Sequence, residues 1–345
     1  MIERMSSPQS SLLQEISDNH QIRFTHQFVG PQKLELGEGE AHVFLGVMDG
    51  KKVNVKTGNF NDNELEDTRV FGDLMQSEKG VRVPAVLWGD YDKSTGNIRS
   101  FATEHINGWP YPCELFWMSR PMMSRAMQAF DRIDQKLNRV IWPASKNYMG
   151  HGKNWLEQVL SNDWVEPATT SWIRPILEDK TLAENNLITP NFVGSIQRYL
   201  TKHEPELLDM RMALKDPNGD NLIWPAYDTE AQWVGVVDIG LVARPQHYMK
   251  MRFLAWSLVK IDSGGPDLEK RVDLETWVGK MRSEHHLGDE MSPTFVLSLT
   301  GILYDLTRWE NGERDNKNRR LIAVAIKNII NKIIKKDEAD DKKTS

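Results

Sequence analysis

The chain has 345 residues, a length that predicts about two domains or one large two-lobed unit. Its 43 basic and 49 acidic side chains give a formal net charge of −6, which argues against a protein that mainly coats nucleic acid or an anionic membrane. A single cysteine, Cys113, excludes an intramolecular disulfide and a multi-cysteine zinc site. Because no apolar segment is long enough to cross a bilayer and residues 1–19 contain no secretory signal, we expect a soluble cytoplasmic protein.

The first third of the chain is predicted to be mainly β-strand. Short β-prone segments span residues 34–36, 42–48 and 52–57. Asp49 and Gly50, between the last two segments, are a strong signal for a hairpin turn. Residues 62–77 then show the spacing of an amphipathic helix. A second pair of strands is predicted at residues 84–88 and 98–105.

From residue 107 onward the sequence is predicted to be mainly helical. Predicted helices span residues 115–140, 155–161, 172–178, 192–208, 248–260, 274–283, 293–309 and 319–335. One predicted hairpin, with strands at residues 221–224 and 233–237, interrupts them. The chain is therefore divided into an N-terminal extension, a small β-rich N-lobe that binds nucleotide, a larger helical C-lobe and a charged tail expected to fray. These segments comprise residues 1–19, 20–106, 107–336 and 337–345.

Polar residues flank the predicted hairpin of the helical part. Asp216 and Asn221 come immediately before its first strand, and Asp238 follows its second strand. Phosphoryl transfer requires a carboxylate that orients a hydroxyl and an Asn–Asp pair that holds Mg²⁺ on the phosphates. The same residue types also form turns for backbone reasons, so the pattern by itself leaves both interpretations open.

A glycine-containing segment lies between two predicted strands near the N-terminus. It contains Gly37, Gly39, Glu40, Ala41 and His42. Small residues at such a place allow backbone amides to approach a polyphosphate. A plain β-turn is the alternative interpretation of this short pattern.

Lys56 lies on the strand that follows this segment. Alternation turns its side chain away from the apolar face of the strand, where a lysine is commonly a solvated edge residue. The next predicted helix carries three carboxylates, Glu64, Glu66 and Asp67. One of them is expected to pair with the ammonium and hold it against phosphates. Spacing favours Glu66, with Asp67 and Glu64 as rivals.

Taken in chain order, these elements resemble the protein-kinase-like superfamily. The resemblance is greatest to its aminoglycoside phosphotransferase and choline kinase branch, whose members phosphorylate small molecules. It extends over residues 30–260 and includes the connection at residues 104–108, the loop at residues 214–221 and the Asp-Ile-Gly sequence at residues 238–240. The resemblance implies a two-lobed protein-kinase-like fold of class α+β.

The resemblance also implies that ATP and Mg²⁺ bind in the cleft between the lobes. Asp216 is then the catalytic base, Asn221 and Asp238 are Mg²⁺ ligands, and Lys56, held by Glu66, positions the phosphates. The segment from Gly37 to His42 covers the nucleotide. Backbone groups of the connection hold the adenine, and its residues are Glu104, His105 and Ile106.

The sequence departs from the family pattern in three places. Leu214 replaces a histidine two residues before the catalytic aspartate, and Asn218 stands where the branch often has a second histidine. Residues 248–251 lack the aspartate that commonly begins the next helix. A nucleotide-binding pseudokinase that acts as a scaffold or regulator is therefore the alternative function. A protein kinase is disfavoured because residues 238–252 leave no room for an activation segment and lack an Ala-Pro-Glu sequence.

The function that these features indicate is transfer of the γ-phosphoryl group of ATP to a hydroxyl of a small molecule. The expected partner is that small-molecule acceptor, and neither nucleic acid nor a membrane is expected. Acidic residues are scattered through residues 109–210 and do not form the dense acidic wall that an aminoglycoside calls for. A sugar, nucleoside, amino alcohol or secondary metabolite is equally compatible with the sequence.

Overall fold

The computed structural model of the chain contains two compact units. The first comprises Met1–Trp109 and Ile223–Gly240, and the second comprises Pro110–Leu222 and Leu241–Ser345. The structure describes residues 7–33, 40–60, 64–92, 97–110, 120–142, 146–160, 172–225, 232–259, 283, 288–308 and 313–344. The predicted α+β class is confirmed. The predicted strand at residues 34–36 and most of the predicted helix at 274–283 lie outside the described residues.

An antiparallel five-stranded sheet forms most of the first unit. Its strands are β1 (Arg23–Lys33), β2 (Glu40–Met48), β3 (Lys51–Phe60), β5 (Val86–Tyr91) and β6 (Ile98–Glu104). Their order is β1-β2-β3-β6-β5. Two helices accompany the sheet, α1 (Ser7–His20) and α2 (Glu64–Met75). The pair β5–β6 is antiparallel, as the sequence predicted.

The predicted hairpin at Asp49 and Gly50 is confirmed. Strands β2 and β3 pair in antiparallel register, with Met48 opposite Lys51. Asp49 has φ of 49° and Gly50 has φ of 75°, so both central residues lie in the left-handed region. Two such residues are typical of a type I′ turn, whose twist matches that of the strands it joins. The local turn chemistry therefore determines the register of β3 and of Lys56 on it.

Helix α1 belongs to the core of the first unit. Leu13 and Ile16 on this helix are buried. Ile16 packs with Ile22 and with residues of β3 and β6. The sequence assigned residues 1–19 to an extension outside the N-lobe, but the structure differs because the apolar face of α1 covers the sheet.

A second, smaller sheet explains why residues 223–240 belong to the first unit. It consists of β4 (Val81–Arg82), β7 (Trp109–Pro110), β9 (Leu222–Trp224) and β10 (Val234–Val236), in the order β4-β10-β9-β7. The predicted strands at residues 221–224 and 233–237 are thus confirmed as neighbours. Strand β10 also pairs in parallel with β4, with Val234 opposite Val81. This pairing moves the segment out of the predicted C-lobe of residues 107–336.

Glycines allow the chain segments of this smaller sheet to approach closely. A Cβ atom at Gly108 would lie 2.4 Å from the carbonyl oxygen of Trp224. A Cβ atom at Gly235 would lie 2.9 Å from Cβ of Ile223. Both distances are too short for any residue with a side chain. These contacts fix the strand from which Asp238 follows.

The second unit is mainly helical. Its larger helices are α3 (Arg120–Leu137), α4 (Tyr148–Leu160), α7 (Pro190–Lys202), α9 (Tyr248–Val259), α10 (Ser292–Thr307) and α11 (Glu313–Thr344). Its short helices are α5 (Ile173–Glu178), α6 (Lys180–Ala183) and α8 (Glu204–Leu207). Strands β8 (Met210–Leu214) and β11 (Leu241–Pro245) form an antiparallel pair. Leu214 lies opposite Leu241 at the end of this pair.

Helix α10 lies in the core of the second unit. Its residues from Ser292 to Leu303 are buried. The hydroxyls of Ser298 and Thr300 donate to the carbonyl oxygens of Thr294 and Val296, each at 2.8 Å. These hydrogen bonds satisfy the hydroxyl donors that burial removes from water, so the polar residues are compatible with a core position.

Helix α11 extends through the tail that the sequence predicted to fray. Its last eight residues are held by ion pairs with Lys202, whose ammonium donates to Asp337 at 2.8 Å and to Asp341 at 2.5 Å. A ring nitrogen of His203 lies 3.0 Å from a carboxylate oxygen of Asp337. The acidic residues of this segment therefore have basic partners at the end of α7. Among the described helices, none has both the length and the apolar composition that a bilayer span requires.

Candidate active site

Two carboxylates from separate elements of the first unit contact the ammonium of Lys56. The ammonium of Lys56, on β3, donates to Glu64 at 2.5 Å and to Asp238 at 3.0 Å. Glu64 is the first residue of α2, and Asp238 follows β10. Glu64 is buried, whereas Asp238 is exposed. The fold therefore brings one cation and two carboxylates together from distant parts of the sequence.

The partner of Lys56 on α2 is Glu64, so the choice of Glu66 was wrong. Residues three and four apart share a face of a helix, and residues two apart do not. Glu64, Asp67 and Thr68 form the buried face at the start of α2, while Glu66 is exposed. Because α2 begins at Glu64, the first carboxylate on this buried face is that of Glu64, and it lies against β3. The helix start, which the sequence did not determine, therefore decides which acid holds the lysine.

The pKa of Lys56 is raised above its ordinary value. Burial is the largest single effect and favours the neutral amine. Coulomb attraction and hydrogen bonds from Glu64 and Asp238 together outweigh that effect. The ammonium therefore stays charged at every physiological pH, as a group that contacts phosphate oxygens must.

Asp238 has a backbone conformation that few residues adopt. Its φ is 55°, in the left-handed region where Asp and Asn are the commonest residues apart from glycine. This turn ends β10 and directs the carboxylate towards Lys56. An exposed carboxylate held in this way supplies the hard oxygen ligand that Mg²⁺ prefers.

The loop that contains Asp216 lies in the second unit and is braced by Asn218. The amide nitrogen of the Asn218 side chain donates to the Asp216 carboxylate at 2.7 Å. Its amide oxygen accepts from the backbone N–H groups of Asp220 at 3.0 Å and Asn221 at 3.1 Å. Asn218 therefore orients the carboxylate and closes the turn at once. The sequence analysis noted Asn218 only as a departure from the family pattern, and missed this bracing role.

Asn221 is also part of this loop. Its side-chain nitrogen donates to the backbone carbonyl of Asp216 at 3.0 Å. This bond determines the orientation of the side-chain amide. The nitrogen faces the carbonyl of Asp216, so the amide oxygen is the atom that would contact a cation. Asp216 itself is exposed, whereas Leu214, two residues earlier, is buried at the end of β8. An apolar side chain thus anchors the loop where the family has a histidine.

Arg252, on α9, is a largely buried cation close to the Asp216 loop. It donates to Asp305 at 2.6 Å. Burial opposes its charge most strongly, but attraction to Asp305, Tyr248 and Asp216 raises the pKa of the guanidinium above its ordinary value. Sequence analysis missed this residue, because its helix carries no pattern that distinguishes a buried arginine from an exposed one.

The predicted nucleotide-covering loop is described only in part. Gly37 and Gly39 lie outside the described residues. Glu40, Ala41 and His42 are the first residues of β2, and His42 is buried. The strand predicted at residues 42–48 therefore begins two residues earlier, at Glu40, and pairs with β1 and β3. Contact of these residues with a nucleotide stays a prediction.

In the connection at residues 104–108, which was predicted to hold adenine, two backbone N–H groups donate hydrogen bonds to other residues of the chain. The N–H of Glu104 donates to Ala85 at 2.8 Å, and the N–H of His105 donates to Lys52 at 3.2 Å. These two N–H groups are therefore excluded as adenine contacts. The remaining candidates are carbonyl oxygens of the connection and the backbone of Ile106, whose side chain is buried.

The oxygen donors fit a magnesium ion better than a metal that requires a protein cage. Mg²⁺ is commonly held by one or two protein oxygens together with substrate phosphates. In the first unit Asp238 supplies one such oxygen, and in the second unit Asn221 supplies another. Across the described residues, no group of three or more His, Cys, Asp or Glu side chains could hold a metal ion alone. Each of these oxygens would therefore suit a cation that arrives with a polyphosphate, rather than one held by protein ligands alone.

Comparison with known proteins gives matches in structure alone. No protein-family model matches the sequence, and no curated protein matches it. In total 76 chains of solved structures match. Aminoglycoside phosphotransferase APH(4)-Ia has a TM-score of 0.50 and 11% identity, over 95% of this chain and 98% of that chain.

Two other solved structures have somewhat lower scores. Spectinomycin phosphotransferase APH(9)-Ia, in complex with ADP and spectinomycin, has a TM-score of 0.49 and 12% identity over 95% of this chain and 99% of its own. APH(3'')-Id from Streptomyces rimosus has a TM-score of 0.44 and 14% identity over 94% and 99%. The APH(4)-Ia match confirms the predicted fold: the chain folds like this aminoglycoside phosphotransferase, and the likeness is one of fold alone.

Proposed function

We propose that the protein is an ATP- and Mg²⁺-dependent phosphotransferase that moves the γ-phosphoryl group to a hydroxyl of a small molecule. The observation that carries the proposal is the contact of Lys56 with Glu64 and Asp238. A polyphosphate–Mg²⁺ complex needs a cation on its oxygens and a carboxylate on its metal, side by side. Lys56 and Asp238 are such a pair, and Glu64 holds the ammonium when Asp238 turns to the metal.

Asp216 supplies the second part of the proposal. Its carboxylate is exposed and oriented by Asn218, which suits a group that accepts the proton of an incoming hydroxyl. The oxygens of Asn221 and Asp238 hold Mg²⁺, which neutralises charge on the phosphates. Phosphoryl transfer depends mainly on such positioning and charge neutralisation, so these few side chains are sufficient for the chemistry.

Thermal melting with and without ATP·Mg²⁺ tests nucleotide binding. A ligand at 100 times its dissociation constant adds about 2.7 kcal/mol to the free energy of unfolding, so the melting temperature should rise. Lys56→Met should reduce this rise because it removes the phosphate contact. Lys52→Met is the matched control, since Lys52 is an exposed lysine on the same strand. An unchanged wild-type melting curve at millimolar ATP·Mg²⁺ would contradict the proposal.

A screen of hydroxyl compounds for ATP consumption tests transfer itself. Turnover should require Mg²⁺ and should stop when a chelator is added. ATP binding without consumption across sugars, nucleosides, amino alcohols and hydroxy acids would instead favour the scaffold or regulator function.

A further inference from the structure

Arg244, on β11 of the second unit, has a buried guanidinium stacked on aromatic rings. Its side chain is 9% exposed. The guanidinium carbon lies 3.8 Å from the centroid of the Trp155 ring and 5.8 Å from that of Tyr248. One terminal nitrogen donates to the carbonyl oxygen of Ala243 at 2.9 Å. Nε of Arg244 has no hydrogen-bond partner among the described residues.

No carboxylate in the described part of the chain forms an ion pair with Arg244. The two neighbouring arginines each have an acidic partner. Arg252 pairs with Asp305, and Arg211, opposite Arg244 on β8, pairs with Asp209. Burial lowers the pKa of Arg244, and the charge of Arg252 acts in the same direction, although Tyr248 partly offsets both. Buried charges in proteins are normally paired, because stacking on rings compensates only part of the lost hydration. Among the described residues, this arginine therefore has no anionic partner.

The position of Arg244 relates it to the candidate catalytic base. Leu241 and Leu214 face each other at the end of the β8–β11 pair, two residues before Asp216. Arg244 lies three residues further along β11, a separation of about 10 Å at the usual rise of a strand. Helix α9 contacts the turn Gly219–Asn221 of the same loop. The charge of Arg252 acts on Arg244, and that of Asp216 acts on Arg252, so the three groups lie in one region of the second unit.

We infer that Arg244 binds an anionic group of the phosphate acceptor, so that the substrate is a hydroxyl compound with a carboxylate or phosphate group. The inference rests on the proposed function and narrows its substrate class. A planar guanidinium donates two parallel hydrogen bonds to either anion. The side chain also hydrogen-bonds to Tyr248, so Nε and the N–H groups that contact neither Ala243 nor Tyr248 remain as donors for an anion. An acceptor with ammonium groups would be repelled by Arg244 and Arg252 together.

Anion binding tests the inference without turnover. Melting temperatures are measured at constant ionic strength with acetate, phosphate or chloride. Acetate and phosphate should raise the melting temperature of the wild type more than that of Arg244→Met, and the larger of the two rises identifies the anion. Arg211→Met, across the strand pair, should keep the wild-type response. Arg244→Gln replaces the methionine variant if the latter does not fold.

Kinetics then separate the inference from the proposed function. In the ATP-consumption screen, hydroxy acids and sugar phosphates should react, while neutral polyols and amino alcohols should not. Arg244→Met should raise KM for the anionic acceptor about 10–100-fold, with the dissociation constant of ATP unchanged. Equal melting responses to anions in wild type and Arg244→Met, including no response in either, would overturn the inference. An acceptor with the same KM in the wild type and in Arg244→Met would also overturn the inference. In that case the proposed phosphotransferase function would still stand, because the acceptor is phosphorylated.

Discussion

The charge on Lys56 depends on two carboxylates with different environments. Glu64 is buried and stays in place, whereas Asp238 is exposed and sits in a left-handed turn. Under the proposed function, the first is the permanent partner, and the second exchanges the ammonium for a metal ion when nucleotide binds. A single substitution of each α2 acid distinguishes this arrangement from a general effect of acidic charge.

We predict that Glu64→Gln lowers kcat/KM for ATP, while Glu66→Gln leaves it within a factor of about two. A hydrogen bond to a charged group contributes about 1.5–3 kcal/mol, which corresponds to about 10–100-fold. Both substitutions remove one negative charge from the first turn of α2, so the second controls for the helix dipole. Steady-state kinetics at saturating acceptor measure the difference. Equal losses in the two variants would show that Glu64 has no special contact with the reacting complex.

Asp134, on α3, is a carboxyl whose pKa lies above its ordinary value. Burial raises the pKa most, and the charges of Arg211, His247 and Lys250 offset part of the effect. The folded state therefore binds the proton of Asp134 more tightly than the unfolded state does. Its contribution to stability is fully present below the unfolded pKa of about 3.9 and is lost as the pH rises through the folded pKa.

We predict that Asp134→Asn removes this loss. The free energy of unfolding of the variant should decrease less than that of the wild type as the pH rises from about 4 to neutrality. Urea denaturation at a series of pH values measures the two profiles. Asp73→Asn, at an exposed position of α2, should keep the wild-type profile. A wild-type profile in Asp134→Asn would mean that burial does not govern this carboxyl.

Elements whose determinants are local could be predicted from the sequence, and elements that depend on distant partners could not. The β2–β3 hairpin follows from Asp49 and Gly50, which alone specify the turn. By contrast, the parallel pairing of β10 with β4 joins segments far apart in sequence, and each contributes only two or three residues. No local pattern indicates such a pairing, so the sequence assigned residues 223–240 to the other unit.

Helix α1 illustrates the same limit. Its polar composition suggested an extension, yet Leu13 and Ile16 fill the core of the first unit. On the other side of the helix, Glu15 accepts two hydrogen bonds from Arg99 on β6, at 2.9 and 2.7 Å. Both groups of that ion pair are exposed, so solvent screens it. Apolar contact should therefore account for most of the stability that α1 confers.

We predict that Ile16→Ala destabilises the protein by about 2–5 kcal/mol, because it leaves a cavity among buried side chains. Glu15→Ala should cost at most about 1 kcal/mol, as exposed ion pairs typically do. Urea denaturation of the two variants compares neighbouring positions of one helix. A larger loss for Glu15→Ala would mean that the ion pair, rather than the core, attaches α1.

At the scale of the whole molecule, the candidate site residues belong to two compact units. Lys56, Glu64 and Asp238 belong to the first unit, and Asp216 and Asn221 belong to the second. The sequence indicated the residue types and their order, since those follow from the chemistry of phosphoryl transfer. It did not indicate that Asp238 shares a unit with Lys56, because that depends on the strand pairing of β10. Nucleotide contacts and acceptor chemistry should consequently be separable by substitution.

We predict that Asp216→Asn loses turnover by about 10²–10⁴-fold, the usual contribution of a general base, while its affinity for ATP·Mg²⁺ changes only a few-fold. Asparagine keeps the size of the side chain and removes the basic carboxylate. Lys56→Met should instead lower nucleotide affinity as well as rate, since the proposed function places its ammonium on the phosphates. Calorimetric titration with ATP·Mg²⁺ and the ATP-consumption assay measure the two properties separately. Asp220→Asn makes the same change at an exposed position of the same loop and should stay active. A base that contacts only the acceptor affects the rate of transfer and leaves ATP binding unchanged. Full activity of Asp216→Asn, or loss of its nucleotide binding, would therefore contradict the role assigned to this carboxylate.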